Sequence, residues 1–219
     1  MVKLISLDGN ISSGKTTILQ ELNGISPFVT VIYEPIDKWN NIKNSDGKNI
    51  LEVFYENQDK YSFVFQINAL FTRYKLLEKS INDAKKQELS TGLEQILIIE
   101  RSIDSDCHIF AEMLYEDRKI NEIEYQVYKN WYIEYSKLFK IDKCIYIKAN
   151  PITCYNRISK RARNGEDLIS LSYLERIDDK HNIFYESILS KNKHLIISND
   201  DDNEMFDDII KQISNFIKE

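Results

Sequence analysis

The sequence is poor in the features that make a chain loop-rich, cross-linked or membrane-bound. It holds 3 Cys, 3 Pro and 6 Gly in 219 residues. So little proline and glycine argues against a loop-rich or low-complexity chain and leaves most of the length to regular elements. Cys107, Cys144 and Cys154 form no C-x-x-C pair and have no histidine-rich partner segment. Neither a disulfide framework nor a zinc site is therefore expected, and the thiols read as small apolar fillers. No apolar run approaches the about 18–20 residues of a membrane span. A basic excess is missing too: 29 Lys+Arg against 35 Asp+Glu give a formal net charge of −6. General nucleic-acid binding is not expected from such a balance. An anionic ligand would need a local basic cluster. The first residues already read as a strand, leaving no room for a targeting segment, so an intracellular chain is expected.

What is present suits one domain spanning residues 1–219, with 42% hydrophobic and 29% charged residues;. Val2 to Asp8 reads as a buried strand, followed by a helix from Gly14 to about Asn23 that Gly24 stops;. Val29 to Tyr33 is a second strand, and a helical pattern rich in Phe and Tyr runs from about Ile50 to Lys86. Gln95 to Glu100, Lys143 to Ala149 and "HLIIS" supply three further strands, with helical stretches between them and a last helix from about Glu204 to Ile217. Pro151 is well placed to open the helix after the fourth strand. Short apolar strands alternating with helices predict an α/β fold whose five-stranded parallel sheet is covered on both faces. Ligands of such folds sit beyond the carboxyl ends of the strands.

The first strand end carries "GNISSGKT", Gly9 to Thr16, which satisfies G-x-x-x-x-G-K-[ST] between a strand and a helix;. Glycines there let successive N–H groups of Gly9, Asn10, Ile11, Ser12, Ser13 and Gly14 point at phosphate oxygens, and the helix start adds its dipole. Lys15 is expected to reach the outer phosphates and Thr16 to ligate Mg²⁺, with Thr17 beside it. A nucleoside triphosphate is the expected ligand. The loop leaves the second substrate open.

Strand two ends in Glu34-Pro35 with Trp39 close behind, and strand three in Glu100-Arg101-Ser102 with Asp106 one helical turn on. Either Glu34 or Glu100 could take the proton of an attacking hydroxyl. Tyr55, Phe65, Gln66 and Arg73 fall in one helical region, with Phe65 and Gln66 eight and seven residues before Arg73 and so on its face;. Polar residues on an aromatic face suit the stacking and edge-reading of a planar base, although a snorkelling arginine has the same spacing. "RISKRARNGED" places Arg157, Lys160, Arg161 and Arg163 after strand four. A basic run is usually a solvated face, but beside a phosphate loop it reads as a lid, about residues 157–168, closing on the triphosphate.

Taken in order, "DGNISSGKTT", "EPIDKW", "YENQDKYSFVFQ", "ERSIDSD", "IYIKANPITCYNRISKRARNGE" and "YLERIDDKH" resemble the deoxynucleoside kinase family across roughly Lys3 to His181. The resemblance implies a P-loop kinase fold that moves the γ-phosphate of ATP or another triphosphate, with Mg²⁺, to a deoxynucleoside 5′-hydroxyl in nucleotide salvage. It implies Glu34 as the catalytic carboxylate, Arg101 as the arginine steadying it and the phosphates, and Glu100 as the carboxylate near the metal. Tyr55 and Glu166 match the pair that binds the sugar 3′-hydroxyl, and Gln66 the residue contacting the base, with Phe65 and Trp39 shaping its pocket. Arg157 and Arg161 match lid residues. Homodimerisation through a helix pair is the family expectation.

Arg73 and Asp106 match the pair of the deoxycytidine and deoxyguanosine kinase branch. A carboxylate held by an arginine accepts from an exocyclic amino group, whereas thymine presents an acceptor oxygen and a methyl. A preference for deoxycytidine or purine deoxynucleosides over thymidine is expected. Two departures are visible: Asp8 stands where many relatives carry Glu, and the loop interior "SS" is more polar than usual. A thymidylate-like monophosphate kinase would need positive charge for the acceptor's phosphate, where this chain offers Glu34, Tyr55 and Glu166. A non-catalytic relative should have lost Lys15, Glu34 or the lid arginines, and all are present. Richness in Lys, Ile and Asn suggests an AT-rich bacterial or viral genome; the expected location is cytoplasmic, the host's if viral.

Overall fold

The computed structural model describes residues 2–161, 163, 165–188, 193–200 and 206–219. Five strands, β1 (Lys3–Gly9), β2 (Val29–Ile32), β3 (Ile96–Glu100), β4 (Lys143–Lys148) and β5 (Lys193–Ser198), form one sheet. Its order is β2-β3-β1-β4-β5, and every pairing is parallel. Parallel neighbours need crossovers, and the helices that supply them cover both faces.

The period-two alternation of the strands sorts their side chains between two cores. Ile5 and Leu7, Ile98, and Ile145 and Ile147 face Ile18, Leu19 and Leu22 of α1 (Lys15–Leu22). Ile209, Ile213 and Phe216 of the last helix close that layer. Leu4, Leu97, Ile99 and Tyr146 point the other way, toward Leu77, Ala84 and Tyr185. Both faces are apolar, which explains the uninterrupted hydrophobic runs.

The pattern between Ile50 and Lys86 is not one helix. α2 (Ile36–Asn40) is followed by α3 (Ile50–Glu56) and α4 (Gln58–Thr91). Asn57 lies between the last two, with its backbone N–H donating to Val53 and its side chain accepting from the Lys60 N–H. An asparagine that caps the second helix ends the first, so Tyr55 sits on α3 while Phe65, Gln66 and Arg73 sit on α4. α4 also runs on to Thr91, where Gly92 adopts the left-handed conformation (φ 71°).

Beyond β3 the chain winds through α5 (Ile103–Ser105), a π-helical stretch (Asp106–Ala111) and α6 (Glu112–Glu116). α7 (Glu122–Ser136), α8 (Pro151–Arg161), α9 (Leu171–Ile188) and α10 (Phe206–Lys218) complete the fold. The expected start of the last helix at Glu204 lies outside the described residues. All five strand ends point to one side of the sheet.

Candidate active site

A cavity of about 850 Å³ opens at those strand ends. Every residue singled out as a site residue lines it except Gly9 and Asn10, which lie beneath as the buried root of the loop.

The loop encloses its own lysine. Lys15 Nζ donates to the carbonyls of Asn10 (2.7 Å) and Gly9 (3.1 Å). Burial, then the positive charge of Arg101, pulls its pKa down to about 8. Gly14 has φ 98°, and a Cβ there would meet the Asn199 amide at 2.3 Å, so only glycine fits;. Asn199 in turn donates to the Ser13 carbonyl. Asn10 ties the loop to α9 by donating to the Leu174 carbonyl. Thr16 donates its hydroxyl proton to Glu100 at 2.6 Å. A hydroxyl and a carboxylate beside a phosphate cradle suit Mg²⁺, which takes few protein ligands and keeps waters and phosphates.

On the other side Arg73 of α4 spans two carboxylates. One nitrogen donates to Asp106 at 2.5 Å and the other to Glu34. The same Glu34 oxygen accepts from Arg101 Nε at 2.9 Å, and Arg101 also reaches the Gly9 carbonyl. Burial alone would raise the pKa of Glu34, but Arg73, Arg101 and Lys15 outweigh it and hold the group well below the usual carboxylate range. Asp106 goes the other way. Burial pushes it up to about 6 against the pull of Arg73 and Arg101. Arg73 Nε, Arg101 Nη1 and Asp106 Oδ2 are buried without a hydrogen-bond partner within the described chain. Polar groups left unpaired in a cavity wall are what a bound polar molecule satisfies.

Aromatic rings frame this polar patch. Phe65 stacks on Phe54 (4.7 Å) and meets Trp39 edge-on (5.4 Å). The Arg73 guanidinium lies 5.2 Å over the Trp39 ring. Trp39 itself is fixed by donating to Thr72 at 2.9 Å. Gln66, buried on α4, completes that wall.

In the basic turn, Arg161 donates twice to one oxygen of Glu166 and Arg163 once to the other, at 3.0 Å. Arg157 donates to the Asn199 carbonyl at 2.9 Å. Tyr55 faces this group edge-on to Tyr173, its pKa raised by burial and by the nearby Tyr173 and Glu166.

Several lining residues were missed from the sequence. Phe54 and Tyr173 add to the aromatic wall, Phe110 lies under the Arg101 guanidinium at 4.3 Å, and Asn199 and Phe206 border the loop. Phe110 was legible four residues after Asp106 on the same face. Asn199 was legible as the end of the fifth strand, by the rule already used at the first four.

A phosphate loop at the head of a five-stranded parallel sheet, faced by a half-buried carboxylate and two arginines, defines a P-loop phosphotransferase. The deoxynucleoside kinase family model matches residues 5–218. The human deoxycytidine kinase is 34% identical over 196 residues, covering 82% of this chain and 74% of that kinase. The mitochondrial deoxyguanosine kinase of Xenopus laevis is 33% identical over 205 residues, covering 87% of this chain and 74% of its own. A probable deoxycytidine kinase of fowlpox virus is 33% identical over 233 residues, with 99% and 89% covered. The chain belongs to the deoxynucleoside kinase family. It is an enzyme that phosphorylates deoxynucleosides, using a nucleotide as phosphate donor. The monophosphate-kinase and non-catalytic alternatives are not favoured. Among the described residues no helix is long and apolar enough to cross a membrane.

Proposed function

We propose that this kinase transfers the γ-phosphate of ATP, or another nucleoside triphosphate, to the 5′-hydroxyl of deoxycytidine or a purine deoxynucleoside, and discriminates against thymidine. Glu34 takes the hydroxyl proton, and Arg101 holds Glu34 and bridges toward the phosphates. The loop from Gly9 to Thr17, with Lys15, cradles the donor; Arg157, Arg161 and Arg163 close over it as a lid of about residues 157–168 in a single-domain chain. Thr16 and Glu100 hold Mg²⁺, which supplies charge neutralisation on the phosphates. Tyr55 and Glu166 take the sugar 3′-hydroxyl, and Gln66, Phe65 and Trp39 take the base.

One observation carries the base preference: Asp106 Oδ2 is buried without a partner while Oδ1 is held by Arg73. An amino group of cytosine or adenine satisfies that oxygen. Thymine presents an oxygen to it instead, at a cost of about 1–3 kcal/mol or more, which is tenfold or more in rate.

A homodimer is supported by apolar side chains left uncovered on α4 and α7. Ile123 is 75% exposed and Trp131 50%, with Val127 midway between them on one helical face;. Val64 and Phe71 repeat at seven residues on α4. The cytoplasm, of a host if the source is viral, is the proposed location, and nucleotide salvage the role.

The test is a panel of four deoxynucleosides, their ribo-analogues and monophosphates, assayed with ATP and Mg²⁺. Deoxycytidine, deoxyadenosine or deoxyguanosine should give the highest kcat/KM. A thymidine value above all three would overturn the reading of Arg73 and Asp106. Turnover confined to monophosphates would overturn the acceptor assignment.

A further inference from the structure

The mechanism above gives no role to Asp8, the acid immediately before the phosphate loop. It is only 1% exposed, at the end of the central strand β1. Its carboxylate accepts from three neutral donors on two other elements. Oδ1 takes the Ser102 N–H at 3.1 Å and the Ser105 hydroxyl; Oδ2 takes the Tyr185 hydroxyl of α9 at 3.0 Å. A buried carboxylate is costly unless such bonds are complete.

What these bonds hold is the turn that begins at Arg101. That residue has φ 68°, a left-handed conformation that strains a non-glycine residue;. The turn redirects its side chain onto Glu34 and the Gly9 carbonyl, with the guanidinium over Phe110. Two bonds from β1 brace the strained backbone: Arg101 N–H to the Leu7 carbonyl, and Ser102 N–H to Asp8. Ser102 caps the following turn by accepting from the Ser105 N–H, and Ser105 returns its hydroxyl to Asp8. Asp8 thus closes a ring through Ser102 and Ser105 beneath the reacting groups.

We propose that Asp8 is a positioning residue for phosphoryl transfer, clamping the Arg101–Ser105 turn so that the Arg101 guanidinium stays on Glu34. Asp8 touches neither substrate. It acts through Arg101, and through Arg101 on Glu34. Without the clamp, the turn relaxes to negative φ and the guanidinium leaves the carboxylate. The charged groups facing Glu34 are Arg73 from α4, Arg101 after β3 and Lys15 in the loop, with Asp106 and Tyr55 nearby. Losing one of three cations raises the proton affinity of Glu34.

A double-mutant cycle on the full chain separates positioning from plain stability. Asp8→Ala should lower kcat about tenfold or more, the worth of one charged contact, and move the acid limb of kcat/KM to higher pH. In an Arg101→Met background the same change should cost less than about twofold. Ser105→Ala, which keeps Asp8 and removes one donor, should show the same background dependence at smaller size and covers the case in which Asp8→Ala does not fold. Equal losses in both backgrounds, or a lower Tm with kcat and the acid limb unmoved, would overturn the inference. It rests on Glu34 as the base. Near-normal turnover of Glu34→Gln would sink that reading first, whereas an inactive Glu34→Gln with background-independent Asp8→Ala would sink this one alone.

Discussion

Glu34 is the residue on which most of the site converges. One of its oxygens carries both Arg73 and Arg101, which leaves the other for the proposed proton transfer from a hydroxyl. Glu34→Gln keeps the shape and the donors but loses the negative charge. It should leave nucleoside binding by calorimetry largely intact and reduce kcat by about 10² or more. Lys15 offers a separate test. Its pKa is pulled down to about 8, so the free loop loses its proton as pH rises through that value. Donor phosphates require the charged form, and binding must then take up a proton. Affinity for a non-hydrolysable ATP analogue should therefore be flat below pH 8 and fall up to about tenfold per unit above it. The same dissociation constants at pH 7 and pH 9.5 would remove Lys15 from the phosphate site. At this scale the sequence was informative because the residues proposed to react sit at strand ends, where a polar side chain has little structural excuse. The pairing of Arg73 with both Glu34 and Asp106 was not legible. Residues 39 and 33 positions apart meet only through the packing of α4 against the sheet.

Among the elements, the strands were readable to within a residue or two; burial on both faces makes the central β1, β3 and β4 largely apolar runs, and the half-buried edge strands β2 and β5 still carry β-branched residues. The α3–α4 junction was not. Hydrophobic periodicity ran through Asn57, and the evidence against one helix lay in capping chemistry rather than in period. That junction matters, since it turns Tyr55 on the short helix toward Glu166 while α4 carries Gln66 and Arg73 along the other wall. Asn57→Ala removes the side-chain acceptor for the Lys60 N–H and should cost about 1 kcal/mol. The measurement is the urea midpoint at unchanged m-value, and a stability within error of wild type would show the cap to be idle. The π-helical stretch that begins at Asp106 had no sequence signal either. Its wider winding brings Asp106 and Phe110 under Arg73 and Arg101 respectively. A stretch of this kind is frequent at functional sites.

For the whole molecule, the order β2-β3-β1-β4-β5 gathers five strand ends into one rim. The residues proposed to hold donor and acceptor come from distant parts of the chain and meet there. Their meeting followed from the sequence once the sheet was taken as parallel, which is why nearly all expected residues line the same cavity. The face of α4 and α7 that remains apolar and uncovered belongs to this scale. Trp131→Glu should shift a dimer toward monomer in sedimentation-velocity runs at micromolar concentration, with the far-UV circular dichroism unchanged. A variant that sediments like the wild type would place any self-association elsewhere.

The guanidinium of Arg73 also constrains how such an enzyme can change over generations. The acid proposed to read the base and the acid proposed to take the proton are tied to one side chain. A lineage that widened its diet of nucleosides by replacing Arg73 would alter the proton affinity of Glu34 in the same mutational step. With those roles, substrate range and turnover would be inherited together, and selection on one would drag the other until a second change rebalanced the charge around Glu34.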